Sequence, residues 1–181
     1  GKTRNPNDLD CTPGGSSSGS AASVSDNMVP LSIGSQTGGS VLRPASFNGI
    51  IGFKPTFGTI SRTGMSPVSY ELDHPGIYAR CVEDIELVSS IILSYDENDF
   101  DMIKKYHFHK QDDLKLTDMK FAYIKGPAWK YGDDDMKKAL ESYFNDSKLR
   151  KVYTPVWIHS EVENSLVTLM IKQDNIAQEP G

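Results

Sequence analysis

The chain has little cysteine, no surplus of positive charge and no long apolar run, and each lack removes a class of function. Cys11 and Cys81 are the two cysteines among 181 residues. They stand far apart, without the close pairing of a zinc site or the density of a disulfide framework. A reducing, cytoplasmic compartment is therefore the expectation, with no metal. Acidic residues outnumber basic ones, 24 to 19, for a formal net charge of −5. That balance gives no electrostatic footprint for nucleic acid or an anionic membrane surface, so nucleic acid is not expected as a direct ligand. There is no run of about 18 apolar residues and no charged-then-apolar leader, which argues against a membrane span or a secretory signal. None of the four histidines, His74, His107, His109 and His159, stands in a motif that would complete a Ser-His-Asp triad. A serine nucleophile here would need another base.

What is present suffices for one domain of ordinary size, since 38% of the residues are hydrophobic. Composition shifts near residue 95: 12 of the 15 glycines lie before it, and 29 of the 43 charged residues after it. We expect residues 1–95 to form a core segment and residues 96–181 a more charged α/β segment of the same domain, near the substrate wall. Residues 1–13 read as an extended loop. Residues 19–29 are small and polar and suit a short helix opening at the serines. Leu31–Gly34 and Gly49–Phe53 read as short buried strands, with a turn between them because Pro44 blocks a strand. Residues 83–95 predict a helix, with Ile85, Val88, Ile91 and Ile92 at helical spacing and acids in its first turn. Residues 96–120 read as a charged linker containing Tyr106–His109. A strand is expected at 120–126 and a capped helix after Asp133–Asp135. Residues 152–158 are β-rich, and a final helix opens at Ser160 with an apolar face of Val162, Leu166, Leu169 and Met170. Strands alternating with helices predict an α/β architecture.

Most of the possible chemistry lies between Thr12 and Thr56, where Gly14-Gly15-Ser16-Ser17-Ser18-Gly19-Ser20 is followed by Gln36-Thr37-Gly38-Gly39-Ser40, then Arg43-Pro44 and Lys54-Pro55. Acyl transfer requires an exposed nucleophile and backbone N–H donors aimed at the developing oxyanion, and glycines let the backbone approach a substrate closely. The plain alternative is that Gly-Gly-Ser is a flexible turn. The serines of the first segment could relay a proton, and a desolvated lysine could accept it.

The runs TPGGSSSGSAA and SQTGGSVLRPASFNGIIGFKPT resemble the signature of the amidase signature family of serine amidases, in register from about Asn5 to Leu93 and including Leu72-Asp73-His74-Pro75-Gly76. The resemblance implies cleavage of carboxamide C–N bonds through a Ser, cis-Ser and Lys triad, on an α/β fold with a mixed β-sheet flanked by helices, here in part. By position, Ser40 matches the nucleophile and Ser16 the cis-serine that bridges it to the lysine. Ser17 matches the serine that supports their network. The backbone N–H groups of Thr37, Gly38, Gly39 and Ser40 match the oxyanion hole, and the peptide bond before Ser16 is expected to be cis. No cofactor is implied, and the implied ligand is a small-molecule amide.

Departures from the pattern refine this. The family's base lysine lies on a strand upstream of the serine-rich loop. Lys2 does not match it, and Lys54 matches the Lys-Pro near the signature's end, a structural position. We expect the chain to be an internal segment of a longer amidase, partnered by that enzyme's remaining segments. Gln36 stands where many members have Asp, Ser18 where Gly is frequent and Asn48 where Cys is frequent. Arg43 falls three residues after Ser40, whereas the A subunits of aminoacyl-tRNA amidotransferases typically place an arginine two after it. This ranks that subfamily third. Some free amidases use the matching arginine to hold a substrate carboxylate, which bidentate pairing would suit; the alternative is that Arg43 pairs with a protein carboxylate. A non-catalytic scaffold remains the rival reading of a different class.

Overall fold

The computed structural model describes residues 1–104, 120–122, 127–146, 150–151 and 170–172. The chain divides into two compact units, Gly1–Lys110 and Gln111–Gly181.

The first unit is a three-stranded antiparallel sheet with helices on both faces. Strands β1 (Leu31–Gln36), β2 (Ile51–Phe53) and β3 (His74–Ala79) lie in the order β1-β3-β2. Side chains of β3 alternate between the faces, as pleating requires. On one face, Tyr78 packs with Ala21 and Val24 of helix α1 (Ser18–Ser25) and with Val41 and Ala45 at helix α2 (Leu42–Asn48). On the other, Ile77 and Ala79 pack with Ile85, Val88 and Ile92 of helix α3 (Val82–Ile92). Helix α1 is held by small side chains, with Ala21, Ala22 and Val24 buried. Its serines serve the free edge of β1: the Ser20 hydroxyl donates to Ile33 O at 2.9 Å, and Ser32 Oγ donates back to Ser20 O at 2.7 Å. Arg80 closes the other end of the helix by donating to Val24 O and Val29 O at 2.8 and 2.9 Å.

Several expectations change. The segment between the first two strands is not only a turn but a helix, α2, with Pro44 in its first turn, where its missing N–H is harmless. Gly49, expected to open a strand, instead ends that helix with φ 65°. β1 runs two residues further than expected and is only partly buried, with Ile33 half exposed. The central strand β3 departs from the sequence reading altogether, because Pro75 and Gly76 mask it. Ser35, opposite Pro75, turns its N–H and C=O outward to Ser17, so the two form a non-hydrogen-bonded pair and the proline costs the β1–β3 ladder nothing. Helix α3 stands as its periodicity predicts, with acids in the first turn, although Ile91 is exposed rather than packed. Beyond it, Asp96 accepts from Ser61 and Thr63 at 2.6 and 2.8 Å, and Ile103 N–H donates to Gly58 O at 2.8 Å. Residues 96–103 are thereby tied to the loop at 58–63.

In the second unit, β4 (Lys120–Ala122) pairs in parallel with β5 (Arg150–Lys151) and antiparallel with β6 (Met170–Lys172), a mixed sheet. Helix α4 (Asp134–Asp146) starts where the acids predict, with Asp133 Oδ1 accepting the Met136 N–H at 2.7 Å. Met170, expected on a helix face, lies in β6, since pairing with β4 overrides the helical spacing. The rest of that expected helix, the segment 152–158 and the cluster Tyr106–His109 lie outside the described residues. No helix of the described residues is long and apolar enough to cross a membrane. Among them no cluster of three or more His, Cys, Asp or Glu could hold a metal ion.

Candidate active site

The two glycine- and serine-rich segments meet around the N-terminus of α2. The first is threaded between the free edge of β1 and α2. At Gly14, φ is +73° and an added Cβ would stand 2.4 Å from the Phe47 ring, so only a glycine lets the chain pass this close. Asn48, fully buried, donates from Nδ2 to Pro13 O at 2.7 Å and to Pro44 O at 2.8 Å, and so ties the approach of that segment to α2. The peptide bond between Gly15 and Ser16 is cis. Its carbonyl is gripped by Arg43, whose Nε and Nη2 donate to Gly15 O at 3.0 and 2.5 Å. No carboxylate among the described residues pairs with Arg43. An arginine this near a tight turn satisfies its fork on a backbone oxygen just as well. Ser17 Oγ donates to Ser35 O at 3.1 Å and accepts the Ser35 N–H at 3.2 Å, taking the place of a neighbouring strand residue. Ser18 Oγ donates back to Gly14 O at 2.8 Å.

The second segment runs from the end of β1 into α2, and here the backbone donors are left open. Gln36, buried at 6% exposure, accepts the Val41 and Leu42 N–H groups on Oε1 at 2.8 and 2.9 Å. It thereby caps α2 from outside the helix. The carbonyl of Gly39 accepts the Arg43 N–H at 2.8 Å. The N–H groups of Thr37, Gly38, Gly39 and Ser40 have no acceptor among the described residues. Open backbone donors beside a partly buried serine are groups that an anion can use. Neither the Ser16 nor the Ser40 hydroxyl has a hydrogen bond within the described residues; Ser16 is exposed and Ser40 half-buried.

Three residues to which motif reading assigns no role hold this loop. Asp73, 3% exposed, accepts the Thr37 hydroxyl at 2.5 Å on Oδ1 and the Val68 and Ser69 N–H groups at 2.7 and 2.9 Å on Oδ2. The Thr37 hydroxyl and then the Ser69 N–H hold its pKa below the ordinary carboxylate value. Tyr78, fully buried, donates its hydroxyl to Ser40 O at 2.9 Å. Gln36 is the third, and in the sequence it stands out only as a departure from Asp. Its available signal is a polar side chain just ahead of a helix start. Tyr78 gives none, because a tyrosine in a strand reads as core.

Two expected non-participants are also placed. Lys54 donates to Pro55 O at 2.8 Å, and burial lowers its pKa. His74, the one histidine among the described residues, has Nδ1 2.7 Å from Leu72 O and its ring edge against Phe57. Burial, first, pushes its pKa down. It bonds neither Ser16 nor Ser40.

Known proteins share this arrangement's sequence and fold. The family model described as Amidase matches residues 1–166. The A subunit of the glutamyl-tRNA(Gln) amidotransferase of Fusobacterium nucleatum subsp. nucleatum is 51% identical over 104 residues, covering 58% of this chain and 21% of that protein. Its namesake from Mycoplasma pneumoniae is 45% identical over 141 residues, covering 72% and 28%. Among solved structures, the protein of the same name from Thermotoga maritima aligns with a TM-score of 0.67 at 36% identity, over 85% of this chain and 35% of that one. A peptide amidase bound to the competitive inhibitor chymostatin aligns with a TM-score of 0.55 at 36% identity, over 59% and 22%. The chain thus spans about a fifth to a third of the length of these relatives. Since amidotransferase A subunits stand among them, the Arg43 register does not set that subfamily aside. With the family model covering most of its length and the signature built into one folded unit, this chain belongs to the Amidase family.

Proposed function

We propose that this chain carries the nucleophile and the oxyanion-binding loop of an amidase that hydrolyses a carboxamide C–N bond. Ser40 Oγ attacks the amide carbonyl carbon, and the carbonyl oxygen takes up the electron pair beside the N–H groups of residues 37–40. Ser16 carries the proton of Ser40 toward a base and returns one to the departing amine. Water then cleaves the acyl-enzyme. The resemblance makes that base a lysine, and no lysine of this chain is assigned the role. Ser17 supports the relay segment through Ser35. The observation that carries the reading is the row of four unclaimed N–H groups at 37–40, in a loop held by Gln36, Asp73 and Tyr78. Preorganised donors of this kind supply the largest single term in acyl transfer.

Arg43, an exposed residue, supports the first segment through Gly15 O with Nε and Nη2, which leaves Nη1 for a carboxylate on the substrate. In the complete protein, Ser40→Ala should lower amide turnover by roughly 10⁴-fold or more. Turnover near the wild-type rate would overturn the assignment.

A second reading is favoured by the relatives: that the complete protein is the A subunit of an amidotransferase, passing the nitrogen of an amide to an aminoacyl-tRNA within a complex. It predicts that amide turnover rises when partner subunits and charged tRNA are supplied, whereas a free amidase is indifferent to both.

A further inference from the structure

We propose that Tyr78 is a positioning residue for Ser40: its hydroxyl, reached across a slot floored by two glycines, fixes the peptide unit on which the nucleophile stands. The inference rests on the reading of Ser40 as nucleophile.

Tyr78 belongs to the central strand, and its ring is fully buried among Ala21, Val24, Val41 and Ala45. It crosses the sheet face only because nothing stands in its way. A Cβ at Gly34 would lie 2.7 Å from Tyr78 Cε2, and one at Gly52 would lie 3.6 Å from Cε1 and 2.6 Å from Ala45 Cβ. β1 and β2 thus each contribute a glycine beside the ring. A phenylalanine would fill the same apolar space without desolvating a hydroxyl. What the hydroxyl adds is its bond to Ser40 O at 2.9 Å.

The consequence appears at the next atom along. The peptide unit joining Ser40 to Val41 has its C=O held by Tyr78 and its N–H held by Gln36 Oε1 at 2.8 Å. Both holding side chains are buried, at 0% and 6% exposure. With both ends pinned, that plane cannot rotate, so the backbone angle that aims the Ser40 side chain and the N–H groups before it is set in advance. Tyr78 touches no reacting atom. It acts through the main chain of the residue that does.

Removing one hydroxyl should therefore lower the chemical step while leaving substrate binding alone. In the complete protein, Tyr78→Phe should lower kcat about tenfold with KM within about twofold, since misplacing a reacting group by a fraction of an ångström has effects of this order. Rates are expressed per site titrated with a fluorophosphonate, so a loss of folded protein does not count. The fluorophosphonate labelling rate should fall in parallel. Unchanged kcat per labelled site and an unchanged labelling rate would overturn the proposal, even if the variant were less stable. Should Tyr78→Phe yield no folded protein, protein carrying 3-fluorotyrosine, a more acidic phenol, at position 78 alone serves instead. The alkaline limb of its labelling rate should move to lower pH, and an unmoved limb would overturn the proposal. Ser40→Ala is the accompanying control. If it retains turnover, the parent reading fails; if it is inactive while Tyr78→Phe is unimpaired, only the role of Tyr78 fails.

Discussion

The two glycine- and serine-rich segments are made of the same few residue types and are held in different ways. In residues 14–20 side chains and carbonyls are tied to neighbours, the Ser16 hydroxyl excepted: Gly15 O with Arg43, Ser17 with both polar groups of Ser35, Ser18 with Gly14 O, and Ser20 with Ile33 O. In residues 37–40 the backbone donors are left open while their surroundings are pinned by Gln36, Asp73 and Tyr78. The first segment closes the sheet edge that β1 would otherwise expose, an edge that proteins must cover in some way. The second keeps its hydrogen-bonding capacity for a ligand. Similar composition thus says little about role; what decides it is which neighbours claim the backbone.

The sharpest way to break this contrast is Gly34→Val, because position 34 touches both sides of it. The added side chain would meet the Tyr78 ring and Ser17 Oγ, where a Cβ would already stand 2.7 and 2.9 Å away. We expect a loss of about 2–3 kcal/mol in stability from overpacking, read from the urea midpoint, and near-complete loss of turnover in what remains folded.

Arg43→Ala separates support of the first segment from contact with a substrate. Losing the grip on Gly15 O should lower kcat about tenfold for any substrate. Steady-state kinetics on a matched pair, one amide bearing a carboxylate and one neutral, should show KM rising for the acidic member alone.

Thr37→Val tests the anchor of the second segment through pH. The carboxyl of Asp73 titrates below its ordinary value in the folded chain, chiefly because the Thr37 hydroxyl bonds it. A carboxyl with a lowered folded pKa stabilises the fold above its unfolded pKa and ceases to do so as pH falls through the folded one. Removing that bond raises the folded pKa and shrinks the contribution, so the variant should unfold at a higher pH on acid titration followed by circular dichroism. Its stability near neutrality should drop as well.

The smallest effect belongs to Ser17→Ala. Ser35 would lose its side-chain partner at an edge that water can reach, so the cost should be about 1 kcal/mol or less. Turnover should fall only modestly.

The α/β class, α1, α3 and the start of α4 are legible in the sequence because periodicity, small residues and acidic caps are local signals. Helix α2 is not, since its seven residues contain a proline and its ends are satisfied from outside, by Gln36 at one end and by Gly49 at the other. β3 is hidden for a related reason. Pro75 is tolerated only because Ser35 faces Ser17, a fact of tertiary pairing. The candidate site is legible as a motif, while its supports are not: Asp73 and Tyr78, just before β3 and within it, lie 33 or more residues after Ser40 in sequence, beyond any local pattern.

The central claim is that Ser40, among the many serines of the two segments, is the nucleophile. Labelling the complete protein with a fluorophosphonate and mapping the adduct by peptide mass spectrometry tests it most directly. One adduct per chain on Ser40, lost in Ser40→Ala, is the predicted result. An adduct on Ser16 or Ser17, or no adduct in protein that turns over an amide, would contradict it.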